Sequence, residues 1–189
     1  MPVFTHNMIK SSEIKKIVND YSDVRIGVLG SHSALEVMDG AKDENFQTAV
    51  FCQKGREGPY QRFGRIADEI VVLNKFKDMA SAKNQKMLRD TNTIVVPHRS
   101  LTVYLGYKTI EDSFKVPIFG NRKLFQAEER TAKKGQYYLL EKAKIKYPKL
   151  FKDPKRINKP CIVKVQEKKR PLERAFFTVS SYKDYKEKS

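Results

Sequence analysis

Short apolar runs alternate with amphipathic segments along residues 1–122, and this alternation constrains the fold more than any other feature of the sequence. A helix is predicted after Ser11 or Ser12, because Ile14, Ile17 and Tyr21 recur at helical spacing. Strands are predicted at 25–29, 47–52, 67–73 and 92–96, with a short fifth strand at 116–119. Parallel strands joined by helices have both sheet faces covered. The sequence therefore predicts an α/β fold with a parallel sheet that is covered on both faces.

Polar loops follow three of these strands, at 30–33, 98–100 and 120–122. The carboxyl ends of parallel strands open at the same edge of a sheet, and ligands bind there. Glycine lets the backbone approach a ligand closely, and the first amides of the next helix can hold a phosphate. We therefore predict one crevice for a small phosphorylated substrate. Its candidate substrate-binding residues are Gly30, Ser31, His32, Ser100 and Arg122.

Several of these side chains also have a structural interpretation. His32 could contact the ligand or cap the following helix, and His98 could likewise serve either purpose. Arg122 could grip a phosphate through its planar guanidinium or form a surface ion pair. Lys164 alternates with apolar neighbours in a predicted strand. That lysine could reach a nucleotide phosphate or protect an exposed sheet edge from pairing.

The charge of the chain favours anionic partners. The 189 residues include 38 basic and 22 acidic side chains, which give a formal net charge of +16. Residues 141–189 alone hold 16 of the basic and 6 of the acidic side chains. Such a charge attracts nucleotides, phosphorylated metabolites and nucleic acid. The sequence has no Walker loop, dinucleotide glycine fingerprint, HExxH motif or paired CxxC motif, which argues against the familiar P-loop, dinucleotide and zinc classes.

Cysteine usage and hydropathy predict a cytoplasmic protein without membrane contact. Cys52 and Cys161 lie inside apolar runs, as buried thiols in a reducing compartment do. No stretch approaches the roughly 18 apolar residues of a membrane helix. Residues 1–10 also lack the apolar core of a signal peptide.

The pattern changes after Arg122, and three segments are predicted. They are a substrate-binding domain at 1–122, a helical connector at 123–160 with helices at 123–134 and 136–144, and an incomplete domain at 161–189. The last segment has strands at 161–165 and 175–180 and a helix that begins at Ser181. Two strands and one helix are too few for a stable core. We therefore expect this segment to continue in a longer chain or to rely on a partner surface.

Five motifs, in sequence order, carry a family resemblance. They are Leu29-Gly30-Ser31-His32-Ser33, Gly55-Arg56-Glu57-x-Pro59-Tyr60-x-Arg62-Phe63, Val96-Pro97-His98-x-Ser100, Val116-Pro117-Ile118-Phe119-Gly120-Asn121-Arg122 and Ile162-Val163-Lys164. Together they resemble the archaeal formate-dependent ligase of purine biosynthesis. That family formylates aminoimidazole carboxamide ribonucleotide (AICAR) and belongs to the ATP-grasp superfamily. The resemblance extends over nearly the whole chain but only over the first part of the family's length.

The resemblance implies a Rossmann-like (pre-ATP-grasp) domain followed by the start of an ATP-grasp domain, and a reaction in two steps. Formate takes the γ-phosphoryl group of ATP, and the ring amine of AICAR then attacks formyl phosphate. Catalysis would rest on positioning and on Mg²⁺ with cationic side chains that neutralise the transferring group.

The resemblance also implies roles for individual residues. The family's counterparts of His32 and Ser100 contact the ribonucleotide, and the counterpart of Lys164 belongs to the ATP-binding subdomain. The family's magnesium carboxylates lie in its later half. We therefore expect this chain to contain no metal ligand and to have no activity by itself, and we assign no catalytic residue to it. We also expect a homo-oligomer.

The loop after Lys164 departs from the family. Residues 166–174 contain no glycine, whereas many members have a glycine-rich loop over the phosphates. Lys168, Lys169 and Arg170 could instead act as a charge clamp on ATP, or the loop does not bind ATP in the way of the family. A second departure is Arg99, which stands where a small residue is usual and could add a phosphate contact or block the pocket.

These departures leave two other function classes open. The first is an ATP-grasp-related protein that binds a nucleotide but catalyses a different reaction or none. The second is a nucleic-acid-binding protein, because Tyr182 and Tyr185 accompany the basic charge of the last 49 residues and could stack on bases. Ligand-induced stabilisation by AICAR would favour the ligase, and steeply salt-dependent binding of RNA or DNA would favour the last alternative.

Overall fold

The structure, a computed structural model, describes residues 8–128, 132, 134–164 and 176–189. The chain forms two compact units, Met1–Leu139 and Leu140–Ser189. Lys168, Lys169 and Arg170 lie outside the described residues, so their role in binding ATP stays a prediction. The division of the chain at 122 and 160 also stays a prediction.

A four-stranded parallel sheet forms the centre of the first unit. Its strands are β1 (Arg25–Leu29), β2 (Gln47–Gln53), β3 (Glu69–Leu73) and β4 (Thr93–Val95), in the spatial order β3-β2-β1-β4. Gly27 of β1 pairs with Ala49 on one side and with Val95 on the other. The predicted α/β class and parallel sheet are confirmed.

Helices precede, connect and follow these strands along the chain. They are α1 (Ser11–Asn19), α2 (Ala34–Asp43), α3 (Gly58–Arg62), α4 (Ala82–Asp90), α5 (Arg99–Leu105), α6 (Tyr107–Asp112) and α7 (Gln136–Lys142), with 3₁₀ turns at Phe76–Ala80 and Arg122–Glu128. α4 begins at Ala82 because the Ser81 hydroxyl accepts a hydrogen bond from the Asn84 amide at 3.3 Å. No helix in the described ranges is long and apolar enough to cross a membrane.

Apolar side chains pack on both faces of the sheet, as expected for strands joined by helices. All of residues 48–52 in β2 are buried, so neither face of this central strand meets solvent. Alternate strand residues enter two core clusters, of which the larger includes Leu29, Phe51, Phe76, Leu101 and Phe114 and the smaller includes Val28, Met38, Val50 and Tyr60.

The predicted fifth strand is reduced to a single parallel bridge between Val95 and Ile118. Two hydrogen bonds hold it, from the Val95 amide to the Pro117 carbonyl and from the Phe119 amide to the Val95 carbonyl, both at 2.9 Å. Pro117 has no amide hydrogen to extend the ladder, and the Val116 carbonyl is bound by the Arg122 side chain. In the predicted helix at 123–134, the described residues up to 128 form a 3₁₀ helix instead, and residues 129–131 and 133 lie outside the described residues.

The second unit contains an antiparallel strand pair, β5 (Cys161–Lys164) and β6 (Phe176–Val179), followed by α8 (Tyr182–Lys188). Asp184 donates its amide hydrogen to the Ser181 hydroxyl at 3.2 Å, which begins the helix at the predicted position. A further 3₁₀ turn spans Pro154–Arg156. The ATP-grasp character of this unit stays a prediction.

Candidate functional site

The site predicted from the polar loops lies at the topological switch point of the sheet. From β1 the chain moves to β2 and β3 on one side, and β4 returns to the other side of β1. The loops after β1 and β4 are therefore neighbours at the carboxyl edge, where open α/β sheets bind ligands. We name residues 30–33 and 98–100 together the switch-point crevice.

A hydrogen bond between two serine hydroxyls joins the loops of the switch-point crevice. The Ser100 hydroxyl donates to Ser31 Oγ at 3.1 Å across 69 positions of sequence. Ser100 lies on the first turn of α5 and is 8% exposed, and Ser31 is partly buried. The two predicted residues are thus brought together, and each hydroxyl keeps acceptor capacity for a ligand.

His98 is a second link between the same loops. Its Nε2 lies 2.8 Å from the Leu29 carbonyl, and its Nδ1 accepts a hydrogen bond from the Ser100 amide at 3.3 Å. These partners assign the neutral tautomer that carries its proton on Nε2. Burial lowers the pKa of His98 below its ordinary value, which agrees with a neutral ring. Of the two interpretations left open for His98, the structure supports the structural one.

His32 stands exposed at the mouth of the switch-point crevice. Its Nδ1 lies 2.8 Å from the hydroxyl of Ser33, the residue before α2. Electrostatic interactions with both His32 and Glu36 act on His98, so these ionisable groups lie near one another. An exposed imidazole beside paired hydroxyls is available to a ligand, and its predicted substrate contact stays a prediction.

Gly30 is required for packing beneath the crevice. A Cβ at this position would lie 2.7 Å from the Cys52 Cβ and 3.1 Å from the Tyr60 ring. The Gly30 amide donates to the Phe51 carbonyl at 2.8 Å, as part of the strand pairing. The structure therefore explains this glycine by a close approach of β1 to β2, whereas the sequence suggested a close approach to a ligand.

Tyr60 is a crevice neighbour that the sequence reasoning did not select. It is 5% exposed, and burial is the main cause that raises its pKa to about 12. Arg56 acts electrostatically on Tyr60 and also lies over the Phe76 ring, 5.4 Å from its centroid. The sequence feature that could have indicated Tyr60 is the Pro59-Tyr60 pair, which lies in a loop that follows a strand end.

Arg122 is held by backbone carbonyls. Its Nη1 donates to the carbonyls of Ile110 and Phe114 at 2.5 and 2.6 Å, and its Nη2 donates to the Val116 carbonyl at 2.6 Å. All three hydrogen bonds lead to the segment before the Ile118 bridge. The predicted surface ion pair is absent from the described part of the chain, and the predicted substrate contact stays a prediction.

Lys164 is the predicted ATP-binding residue that the structure describes. It lies on β5 opposite Phe176, and both side chains are exposed on the same face of the strand pair. This exposure leaves the ammonium group accessible to a phosphate. Among the described residues, no group of three or more His, Cys, Asp or Glu side chains could hold a metal ion.

Comparison with known proteins shows where this chain has relatives. The family described as "Protein of unknown function (DUF1246)" matches residues 26–151. Two curated relatives bear the name 5-formaminoimidazole-4-carboxamide-1-(beta)-D-ribofuranosyl 5'-monophosphate synthetase. The protein of Methanopyrus kandleri is 40% identical over 184 residues, covering 96% of this chain and 50% of its own length. The protein of Methanothermobacter thermautotrophicus is 41% identical over 183 residues, which cover 95% of this chain and 49% of its own length.

The chain therefore spans about half the length of the curated relatives it matches. The crystal structure of an IMP biosynthesis protein PurP from Thermococcus kodakaraensis has the same fold, with a TM-score of 0.54 and 24% identity over 81% of this chain and 48% of that one. The resemblance predicted from the five motifs is confirmed by the named relatives.

Proposed function

The chain belongs to the family described as protein of unknown function DUF1246, and on this premise we propose that it forms the ribonucleotide-binding part of an ATP- and formate-dependent ligase. The proposed reaction formylates AICAR in purine (IMP) biosynthesis. The relatives' printed name supports this reaction, at about 40% identity along nearly the whole chain. The observation that carries the proposal is the junction of Ser31 and Ser100 at the switch point of the sheet.

In the proposed function, the switch-point crevice binds the phosphorylated ribose. The hydroxyls of Ser31 and Ser100 exchange hydrogen bonds with the phosphorylated ribose, and His32 closes the mouth of the site. His98 does not exchange protons here, since both ring nitrogens are engaged with Leu29 and Ser100. Its role is to fix the separation of the two loops, so that the ring amine of AICAR is held in one orientation.

ATP supplies the phosphoryl group that activates formate in this proposal, and Lys164 is the described residue that fits a phosphate contact. Lys164 is exposed on β5, as a contact with a phosphate requires. The described residues offer no cluster of carboxylates for Mg²⁺. The proposal also assigns residues 161–189 to the beginning of an ATP-grasp domain.

Binding of AICAR tests this proposal directly. A ligand that binds only the folded state adds about 2.7 kcal/mol to the free energy of unfolding at 100 times its Kd. We expect AICAR to raise the melting temperature of the chain, and the double variant S31A/S100A to lose most of that increase.

The matched control is S113A, because Ser113 has an exposed hydroxyl that bonds only within its own turn, to the Thr109 carbonyl at 3.2 Å. It should keep the full increase in melting temperature. The absence of any shift with the original chain would refute ribonucleotide binding. An equal increase in the melting temperature of S31A/S100A would show that AICAR binds outside the switch-point crevice.

A further inference from the structure

The first unit contains a second cavity whose lining shares no residue with the switch-point crevice. It has a volume of about 510 Å³, which lies within the range of small-molecule sites. Isoleucine side chains from α1 and from the Val95–Ile118 bridge form part of its wall. Its polar lining consists of Ser11, Lys15, Glu111, Asn121, Arg122 and Lys123.

The lining of this cavity is cationic. Among its described lining residues, Lys15, Arg122 and Lys123 are cationic and Glu111 is anionic, a formal net of two positive charges. Glu111 is 4% exposed, and its two oxygens accept hydrogen bonds from Gln126 Nε2 at 3.1 and 3.2 Å. Lys15 and Lys123 are exposed, so their ammonium groups can turn toward a ligand at the opening.

Arg122 gives this cavity a cation whose partners are all neutral. Its three hydrogen bonds go to backbone carbonyls, and no carboxylate of the described residues lies in ion-pair range of its guanidinium. Burial alone lowers its pKa to about 10. A partly desolvated charge without a counter-ion is costly, and two of the five guanidinium N–H groups remain for another acceptor. An anion in the cavity would supply both the charge and the acceptor.

We propose that this cavity binds a small phosphate-bearing anion, held by Arg122, Lys15 and Lys123. The proposal is independent of AICAR binding, because it concerns different residues. It assigns Arg122 to an anion site separate from the switch-point crevice. A phosphate oxygen accepts charge-assisted hydrogen bonds from guanidinium and ammonium groups, which are the donors present here.

Calorimetric titration with pyrophosphate tests the site. Salt of about 0.15 M should be present, because it screens exposed charges that lie more than about 8 Å apart. We expect the 189-residue chain to bind pyrophosphate, and the double variant K15E/K123E to bind it at least about tenfold more weakly, since charge-assisted hydrogen bonds are lost.

The control variant is K16E/K108E, which makes the same change in net charge at two exposed lysines outside the cavity. It should retain the original Kd within about twofold, whereas a purely diffuse attraction would weaken equally in both variants. Equal weakening would overturn the proposal, and so would a lack of binding by the original chain. Loss of pyrophosphate binding in S31A/S100A but not in K15E/K123E would assign the anion to the crevice instead.

Discussion

At the residue scale, Gly30 is a position where packing against a neighbouring strand excludes a larger side chain. A Cβ there would lie 2.7 Å from the Cys52 Cβ and 3.0 Å from the Cys52 Cα, which is backbone and cannot turn away. We expect Gly30→Ala to lower the free energy of unfolding by about 1–3 kcal/mol, the usual cost of overpacking. Urea denaturation followed by circular dichroism measures this change.

Gly40→Ala is the matched control, because a Cβ at position 40 of α2 meets nothing within 4 Å. Alanine is favoured over glycine inside a helix by up to about 1 kcal/mol. The two identical substitutions should therefore change stability in opposite directions. An unchanged or increased stability for Gly30→Ala would contradict the packing explanation.

His98 predicts a pH dependence of stability. Burial holds its pKa in the folded state below the unfolded value of about 6.5. The unfolded chain therefore takes up a proton first as the pH falls, and the contribution of neutral His98 is present above that pH and lost below it. The urea midpoint should fall less between about pH 7.5 and 5 in His98→Gln than in the original chain. Parallel pH profiles for the two proteins would contradict a buried neutral ring.

Local sequence was enough to predict that Ser31 and Ser100 lie together, because polar residues directly follow apolar runs and parallel strands align such ends. The binding roles of Ser31, His32 and Ser100 stay predictions. The need for Gly30 depends on Cys52 of the neighbouring strand, which no local pattern reveals. Tyr60 was missed for the same reason, since its burial arises from packing against the sheet.

At the scale of elements, the Arg122 side chain organises the segment that leads to the Ile118 bridge. It holds the carbonyls of Ile110, Phe114 and Val116, all from residues with no exposed surface. Arg122→Met keeps an unbranched apolar stem but leaves these carbonyls without their donors. We expect the free energy of unfolding to fall by about 3 kcal/mol, because each unsatisfied buried group costs about 1–3 kcal/mol.

The control for this substitution is Arg62→Met, which removes an exposed guanidinium from α3. Exposed substitutions usually change stability by less than about 0.5 kcal/mol. Equal urea midpoints for Arg122→Met and the original chain would show that water replaces the guanidinium at these carbonyls.

The difference between prediction and structure at residues 116–119 lies in backbone groups that cannot extend the strand ladder. Residues 116–119 have the apolar content of a strand, but Pro117 and the Arg122 contact limit their pairing to one bridge. Apolar content indicates burial, and it does not show where the carbonyl groups find donors. Helix α8 was predicted correctly because its cap, Ser181, is local in sequence.

At the scale of the whole molecule, the alternation of strands and helices was enough to predict the parallel sheet but not its strand order. The switch point exists because β4 lies beside β1 and not beside β3. Strand order results from packing among distant segments, so it could not be derived from periodicity. The sequence did indicate that the last segment has little core, since it holds only two short strands.

The two compact units should therefore differ in their ability to fold alone. Both core clusters of the first unit lie between residues 28 and 116, whereas the described residues of 140–189 bury only Ile157 and Val179 among their apolar side chains. A two-stranded sheet is marginal in water. We expect the separate 1–139 polypeptide to unfold cooperatively in urea and to keep any stabilisation by AICAR, and the 140–189 polypeptide to show no cooperative transition. A sharp transition for 140–189 would mean that its core extends beyond these two side chains.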